Sequence, residues 1–292
     1  MNSPSSTATK HQIRVGLVGA GIQHSASPSL HTDEGAALDL DYRYELLDLD
    51  LIAGGTAALA RVITDAQERG FAGLNITYPC KQAIIPLLDE LSADARSLQS
   101  VNTVVFRQGR RIGHNTDWWG FAENFRRGLP HALRREVVLV GAGGAGSAVG
   151  YAALQLGAKS LAVVDVEDAR AVALAVRLGA LFPAARVRAA GDAASALQGA
   201  DGLIHASPTG MAKLPGLPVP AACLHPPLWV AEVVYVPLET ELLKVARAAG
   251  CACLDGGGMA VFQAARAFEL FTGLRPNAER MLGRFDRRLR GL

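Results

Sequence analysis

Cysteine is scarce in this chain, and what there is has no pattern. Cys80, Cys223, Cys251 and Cys253 are the only four in 292 residues. They lack C-x-x-C or zinc-ribbon spacing, so they give no sign of a disulfide framework or a metal site, and reduced thiols are the plain reading. His24, His31 and His114 also lack metal-ligand spacing and read as packing or surface histidines, so no metal is expected. Excess charge of one sign is missing too. With 29 Lys and Arg against 27 Asp and Glu, the net charge of +2 makes no case for a nucleic acid or an anionic membrane as partner. The basic run Arg284, Arg287, Arg288 and Arg290 reads as the solvated face of a last helix. Met1 to Gln12 is polar, without the apolar core of a signal peptide, so a cytoplasmic protein is expected. Val137 to Leu154 carries no charge over about the length of a membrane span. Its five glycines mark a strand-to-helix switch inside a buried core instead. Internal repeats and low-complexity tracts are also absent.

What is abundant is apolar residues, at 50%, and glycine, at 31 residues, which suits an α/β enzyme with a substantial core. The most informative segment is Val137-Val-Leu-Val-Gly-Ala-Gly-Gly-Ala-Gly-Ser147. It reads as a strand, a glycine turn and the start of an Ala-rich helix running to Leu156. Gly141, Gly143 and Gly146 fill G-x-G-x-x-G, serving in turn the tight turn, the approach of a pyrophosphate and close helix–strand packing. Ala142, Gly144 and Ala145 complete the loop, and the helix N-terminus offers free N–H groups to phosphates. A second strand, Leu161 to Val164, ends at Asp165, where a carboxylate accepts from the adenosine ribose hydroxyls and repels a 2′-phosphate. Val166, Glu167 and Asp168 follow, with no base until Arg170. NAD is therefore expected rather than NADP.

A whole domain's worth of sequence precedes this fingerprint, and it also alternates strand and helix. Strands are expected at Arg14–Val18, Tyr42–Leu47 and Gly73–Ile76, with helices at Ser29–Leu38 and Gly55–Gln67. A further helix opens at Pro79 and ends near Leu91, and Thr103–Phe106 with Arg111–His114 forms a hairpin. This is βαβ logic and implies a mostly parallel sheet. Gly16, Gly19 and Gly21 suggest a second dinucleotide loop, but His24 stands at the last glycine position and no acid closes a second strand at the right distance. That loop reads as substrate-facing. Beyond Asp165 come helices at Ala169–Leu181 and Ala193–Gln198, strands near Val187, at Gly202–Ala206 and at Trp229–Val234, and a Pro/Gly-rich loop from Pro208 to Pro220. Asp255-Gly-Gly-Gly258 reads as a hinge-like break before a helical end, Met259 to Arg290, able to pack back on the first domain. The expected fold is thus α/β with two domains and a cleft between them. Residues 1–116 form a substrate domain, 117–255 a Rossmann dinucleotide domain, and 256–292 returning helices.

Hydride chemistry on an alcohol needs a group that takes the proton. In Asn75-Ile-Thr-Tyr-Pro-Cys-Lys81, polar Asn75 and Thr77 follow buried Leu74 at a strand's carboxyl end, where open α/β sheets bind ligands. Lys81 would sit in a first helical turn, whose dipole disfavours its charged form and favours use as a base. A plain surface lysine is the competing reading. Asp117, before the apolar helix opening at Trp118, reads by default as an N-cap, and Ser25-Ala-Ser27-Pro28 likewise, although its two hydroxyls could equally cradle a carboxylate.

Taken together, Gly19 to His31, Asn75 to Lys81, Val101-Asn-Thr103, Asn115-Thr-Asp117, Gly141 to Gly146, Asp255-Gly-Gly-Gly-Met259 and Gln263 occur in an order and spacing that resembles the shikimate/quinate dehydrogenase family along almost the whole chain. The resemblance implies that Lys81 and Asp117 are the catalytic pair. It implies that Ser25 and Ser27 hold the substrate carboxylate, with Tyr235 near it, and that Thr77, Asn102, Asp117 and Gln263 hold the ring hydroxyls. It also implies cofactor contacts at Ala206, Val233 and Gly256 besides the glycine loop. NADP-using members commonly carry Asn-Arg-Thr where this chain has Asp165-Val-Glu167. That stretch, with Glu239-Thr-Glu-Leu-Leu243, resembles the NAD-linked quinate/shikimate branch. The implied partner is a hydroxylated cyclohexane or cyclohexene carboxylate, and the implied assembly a monomer or homodimer. Trp118 and Trp119 add bulk of unassigned role. Alternatives are an enzyme for an amino or other analogue of these acids, and a non-catalytic NAD-binding regulator. A folate-type dehydrogenase would fit the lysine but neither the two serines nor Asn115-Thr-Asp117.

Overall fold

The computed structural model describes residues 12–289. Met1 to His11 and Arg290, on which the N-terminal reading and the end of the basic run rest, lie outside the described residues. The first half supplies Ile13–Gly19 (β1), Ser27–Ala37 (α1), Tyr42–Asp48 (β2), Leu59–Glu68 (α2), Gly73–Ile76 (β3), Cys80–Ala83 (α3), Glu90–Leu91 (β4), Ala93–Leu98 (α4), Thr103–Arg107 (β5) and Arg110–His114 (β6). They form a six-stranded sheet in the order β2-β1-β3-β5-β6-β4. β1 runs parallel to both its neighbours, and β5 with β6 is the expected hairpin, antiparallel to β3. Its turn, Gln108-Gly109, takes positive φ at both residues (51° and 76°), the geometry that matches strand twist.

The second half supplies Asp117–Gly128 (α5), Glu136–Val140 (β7), Gly144–Gln155 (α6), Ser160–Val164 (β8), Asp168–Leu181 (α7), Arg186–Ala189 (β9), Ala193–Leu197 (α8), Gly202–His205 (β10), Trp229–Glu232 (β11), Glu241–Ala248 (α9) and Ala252–Leu254 (β12), followed by Gly257–Thr272 (α10) and Ala278–Leu289 (α11). The sheet, β12-β11-β10-β7-β8-β9, is parallel throughout. Within β7, β8 and β10, Val137–Val140, Leu161–Val164 and Gly202–Ile204 are apolar without alternation because helices cover both faces, leaving no solvent side to demand it. Leu139, Val149, Leu161 and Leu178 fill one face, and Val138, Leu203, Val230 and Leu243 the other. The strand order reverses between β7 and β10, the switch point at which such sheets open a ligand crevice.

Two helices tie the sheets together. α5 carries the chain out of the first sheet into the second, and α10 brings it back. They pack closely because Gly120 and Gly258 lie between them. A Cβ at Gly120 would fall 2.7 Å from Gln263 N, and one at Gly258 only 1.9 Å from Asn124 Oδ1. Phe268 and Phe271 of α10 then pack on Val15, Tyr42 and Val105 of the first sheet. α11 lies on α1, where buried Glu34 accepts from Asn277 N at 2.7 Å and from Arg280 Nε and Nη2 at 2.9 and 2.6 Å.

Two expectations are corrected. The long helix from Pro79 to Leu91 does not form. Only Cys80–Ala83 is α-helical, followed by the 3₁₀ turn Ile85–Leu87 and then β4. Pro86 has no N–H to donate, and its ring clashes with the carbonyl one turn back. Asp255 to Gly258 is not a break either. Asp255 Oδ1 accepts from Gly257 N at 3.0 Å and starts α10 there, the glycines serving close packing rather than a hinge. Not anticipated were α4, α9 and β12. The two helices are capped by Ser92 and Thr240, whose side-chain oxygens accept from Ala95 N and Leu243 N.

His31 is a packing histidine, 1% exposed, between Tyr42, Tyr44, Phe268 and Phe271, with its Nδ1 3.0 Å from the Tyr42 hydroxyl. Burial pushes its pKa down from 6.5 to about 3. The unfolded chain therefore binds a proton that the folded protein excludes. Stability from this group is intact above pH 6.5 and is lost as pH falls toward 3, by up to about 1.4 kcal/mol per pH unit. In urea unfolding at pH 7 and pH 4.5, His31→Phe should lose about 2–3 kcal/mol less across that interval than the parent chain. Equal losses would overturn the assignment.

Candidate active site

The carboxyl edge of the first sheet is shaped by two loops that touch. A Cβ at Gly19 would fall 2.3 Å from Thr77 Cγ2, and Ala20 N donates to Tyr78 O at 3.0 Å. The loop from Ala20 to Ala26 is held by Asp48, whose carboxylate accepts from Gly21 N (3.0 Å), Ile22 N (3.1 Å) and Gln23 Nε2 (2.9 Å). β2 ends on Asp48, whose carboxylate is buried and spent on the loop. The loop delivers half-buried Ser25 and Ser27 to the site. Neither caps α1, contrary to the default reading. Ala26 stands at the cap position, and Ser25 Oγ accepts from Ser27 N at 3.2 Å.

From Tyr44 a chain of polar contacts crosses the sheet edge. The Tyr44 phenol donates to Asn75 Oδ1 at 2.9 Å. Asn75 Nδ2 donates to Thr103 Oγ1 at 3.2 Å, and Thr103 donates to Asn102 Oδ1 at 3.1 Å. Asn102 Nδ2 donates to Asp117 Oδ1 at 2.9 Å, and Lys81 Nζ donates to Asp117 Oδ2 at 2.6 Å. Asp117 is not the helix cap expected of it. Thr116 holds that position, and Asp117 is the first residue of α5, its own N–H donating to Asn115 Oδ1 at 3.1 Å. The carboxylate is thus free to serve Lys81 and Asn102, and a short ion pair with a quarter-exposed lysine results.

The remaining substrate-side candidates are Gln263, Tyr235 and Thr77. Thr116 Oγ1 reaches Gln263 Oε1 on α10 at 3.5 Å. Tyr235, in the loop beyond β11, is mostly buried. Its ring packs toward Phe285 of α11, and burial first, then the charge of Asp117, pushes its phenol pKa up. Thr77 is half-buried at the loop contact with Gly19. Tyr44, Thr103, Thr116 and Asn115 belong to the network but were missed from the sequence. Thr103 and Thr116 directly follow Asn102 and Asn115, a signal that could have found them; Tyr44, an ordinary strand aromatic on β2, had none. Trp118 points away from the site, donating from Nε1 to Asp94 Oδ2 at 2.6 Å and meeting Tyr151 of α6 edge-on.

The second cluster lies on the carboxyl edge of the parallel sheet. Gly141 turns at φ 106°, and a Cβ there would fall 2.7 Å from the Ala206 carbonyl carbon. A Cβ at Gly146 would fall 1.9 Å from Gly141 O, so turn and helix pack at backbone distance. Gly143 and Gly144 have nothing within 4 Å of a built Cβ, an open cradle in front of an α6 N-terminus that no side chain caps. Half-buried Ala142 and Ala145 flank it. Asp165 Oδ2 accepts from Ala142 N at 2.7 Å, joining the end of β8 to the turn. Gly256 approaches Val233, a Cβ there falling 2.4 Å from Val233 O. Open amides, a positive helix end and a strand-end carboxylate fit the pyrophosphate and ribose of a dinucleotide. Among the described residues no group of three or more His, Cys, Asp or Glu is placed to hold a metal ion.

Two family models match the chain: the shikimate dehydrogenase substrate binding domain over residues 17–104 and the shikimate 5'-dehydrogenase C-terminal domain over residues 256–283. A shikimate dehydrogenase (NADP(+)) of Streptomyces avermitilis is 55% identical over 94% of this chain and 95% of its own. A quinate/shikimate dehydrogenase (NAD(+)) of Corynebacterium efficiens is 45% identical over 94% of this chain and 97% of its own. The solved quinate dehydrogenase from Corynebacterium glutamicum in complex with NAD superposes with a TM-score of 0.88 at 43% identity, covering 94% of this chain and 98% of that one.

Asn102, 3% exposed, is the joint of the network, since its Oδ1 also accepts from Thr116 N at 2.7 Å. Asn102→Ala leaves that N–H and one Asp117 oxygen buried without a partner. It should lower the unfolding free energy by about 2–3 kcal/mol in urea titration, and a loss under about 0.5 kcal/mol would show the joint to be dispensable.

Proposed function

The chain belongs to the shikimate dehydrogenase family, and from that premise we propose that it is an NAD-dependent oxidoreductase that interconverts shikimate with 3-dehydroshikimate, quinate with 3-dehydroquinate, or both. One observation carries the reading: the Lys81–Asp117 pair, 2.6 Å apart at the carboxyl edge of the first sheet. A dinucleotide held by Gly141 to Gly146 and Asp165, and bordered by Ala206, Val233 and Gly256, supplies the hydride acceptor when bound.

The chain's own residues bind, orient and move a proton. Ser25 and Ser27 meet the ring carboxylate, each charge-assisted bond contributing about 1.5–3 kcal/mol. Thr77, Asn102 and Gln263 position the ring hydroxyls, and Tyr235 closes the carboxylate side. Lys81 Nζ takes the proton of the reacting hydroxyl in oxidation and returns it in reduction. Asp117, fixed from behind by Asn102, holds the amine in line and bonds the neighbouring hydroxyl.

The choice of NAD rests on Asp165. Its carboxylate occupies the strand end where a 2′-phosphate would lie, and Val166, Glu167 and Asp168 bring no compensating cation. The relatives' names divide between the two cofactors, so the assay must decide. Initial rates with shikimate or quinate, each with NAD or NADP, should show turnover with NAD. Turnover with NADP alone would overturn the role given to Asp165. Lys81→Ala should lower kcat by about 10²- to 10⁴-fold with little change in KM, as expected of a group acting in the transition state. A near-normal kcat in that variant would remove Lys81 from the mechanism.

A further inference from the structure

A second buried network lies outside the Lys81–Asp117 site, at the end of β10. His205 and Glu232, both fully buried, face each other in register across β10 and β11. His205 Nδ1 is 2.8 Å from Glu232 Oε1, and its Nε2 is 2.6 Å from Ser207 Oγ. This has the outline of a Ser–His–acid triad, but the surroundings do not suit acyl transfer. Pro208 has no N–H to offer an oxyanion, and Thr209 N is turned back toward Ser207 Oγ at 3.4 Å.

The arrangement does control direction. Glu232 can only accept, and it takes hydrogen bonds from Val233 N, Val234 N and the Thr240 hydroxyl besides His205. The tautomer whose ring proton that carboxylate holds on Nδ1 leaves Nε2 as the acceptor facing Ser207 Oγ. The Ser207 hydroxyl must then donate inward, so its oxygen faces outward as an acceptor. Ser207 is half-buried and sits beside the glycine turn, its N 2.7 Å from a Cβ built on Gly141. It lies on the β10 side of the switch point, across from Asp165 on the β8 side. In such sheets the two nucleotide halves straddle the switch point.

We propose that Glu232 and His205 are positioning residues that hold the Ser207 hydroxyl as an acceptor for a hydrogen-bond donor on the nicotinamide-nucleoside half of the cofactor. The inference rests on the dinucleotide reading above. The donor is either the carboxamide N–H or a ribose hydroxyl.

The test measures dissociation constants by titration calorimetry for NADH, for ADP, which has only the adenosine half, and for the reduced 3-acetylpyridine analogue, which lacks the carboxamide N–H. Ser207→Ala should weaken NADH roughly three- to tenfold and leave ADP unchanged, and Ser207→Thr should restore NADH. An unweakened acetylpyridine analogue in Ser207→Ala assigns the donor to the carboxamide, and an equal weakening assigns it to the ribose. His205→Phe, which keeps the volume, should reproduce the NADH-specific loss. If it fails to fold, the Ser207 variants still decide. Unchanged NADH affinity in Ser207→Ala, or ADP weakened as much as NADH, would overturn the proposal. Parent protein that binds neither NADH nor ADP would instead remove the dinucleotide reading on which it rests.

Discussion

The close packing of α5 on α10 is the constraint on which the rest of the structure depends. One helix leaves the first sheet for the second and the other returns, so their contact fixes how the two carboxyl edges face. Gly120 and Gly258 make that contact possible, since side chains there would collide with Gln263 N and Asn124 Oδ1. The same contact sets the chemistry. Asp117 opens α5, Gln263 lies on α10, and Thr116 reaches between them. A lysine from a third element, the single turn after β3, then meets Asp117. Residues separated by up to 182 positions, from Lys81 to Gln263, are brought to one edge by a helix crossing rather than by any local motif.

Buried polarity at that edge is expensive unless every group finds a partner. Here it is organised as a continuous chain from Tyr44 through Asn75, Thr103 and Asn102 to Asp117 and Lys81. Each amide uses its donor on one neighbour and its acceptor on another, so the order of the chain fixes which way each side chain points. Rigidity at Asp117 comes from this chain and from Asn115, not from the helix end. The end of β10 repeats the strategy with His205 and Glu232.

The two sheets also share a device with different outcomes. Each opens with a strand, a glycine-bearing loop and a helix, and each loop is tied to a carboxylate at the end of the next strand. Asp48 is 4% exposed and gives its oxygens to Gly21, Ile22 and Gln23. Asp165 is half-buried beside an open cradle and bonds Ala142 N. The same acid closes a loop in one sheet and borders a ligand space in the other. The difference lies in whether the loop folds over the strand end or leaves bare amides in front of it.

Much of this was legible in the sequence. Apolar runs without alternation and glycine spacing determined the βαβ alternation, the parallel second sheet and the glycine cradle. Those signals are local, set by backbone sterics and by burial along a single element. What the sequence left open was decided by contacts between distant elements. Asp117 and Ser27 read as helix caps because local hydrogen bonding favours that role; Asp117 instead serves Lys81 and Asn102, which arrive from other elements, and Ala26 takes the cap position of α1. Asp48 drew no reading from the sequence, and its role comes from the loop before α1 folding onto it. Gly256 to Gly258 read as a break because glycine disfavours helix, whereas helix packing at backbone distance requires it. Residue types and periodicity thus determined which elements form and which edge is polar. Only tertiary packing decided which oxygen meets which nitrogen, because that depends on the crossing of helices far apart in the chain.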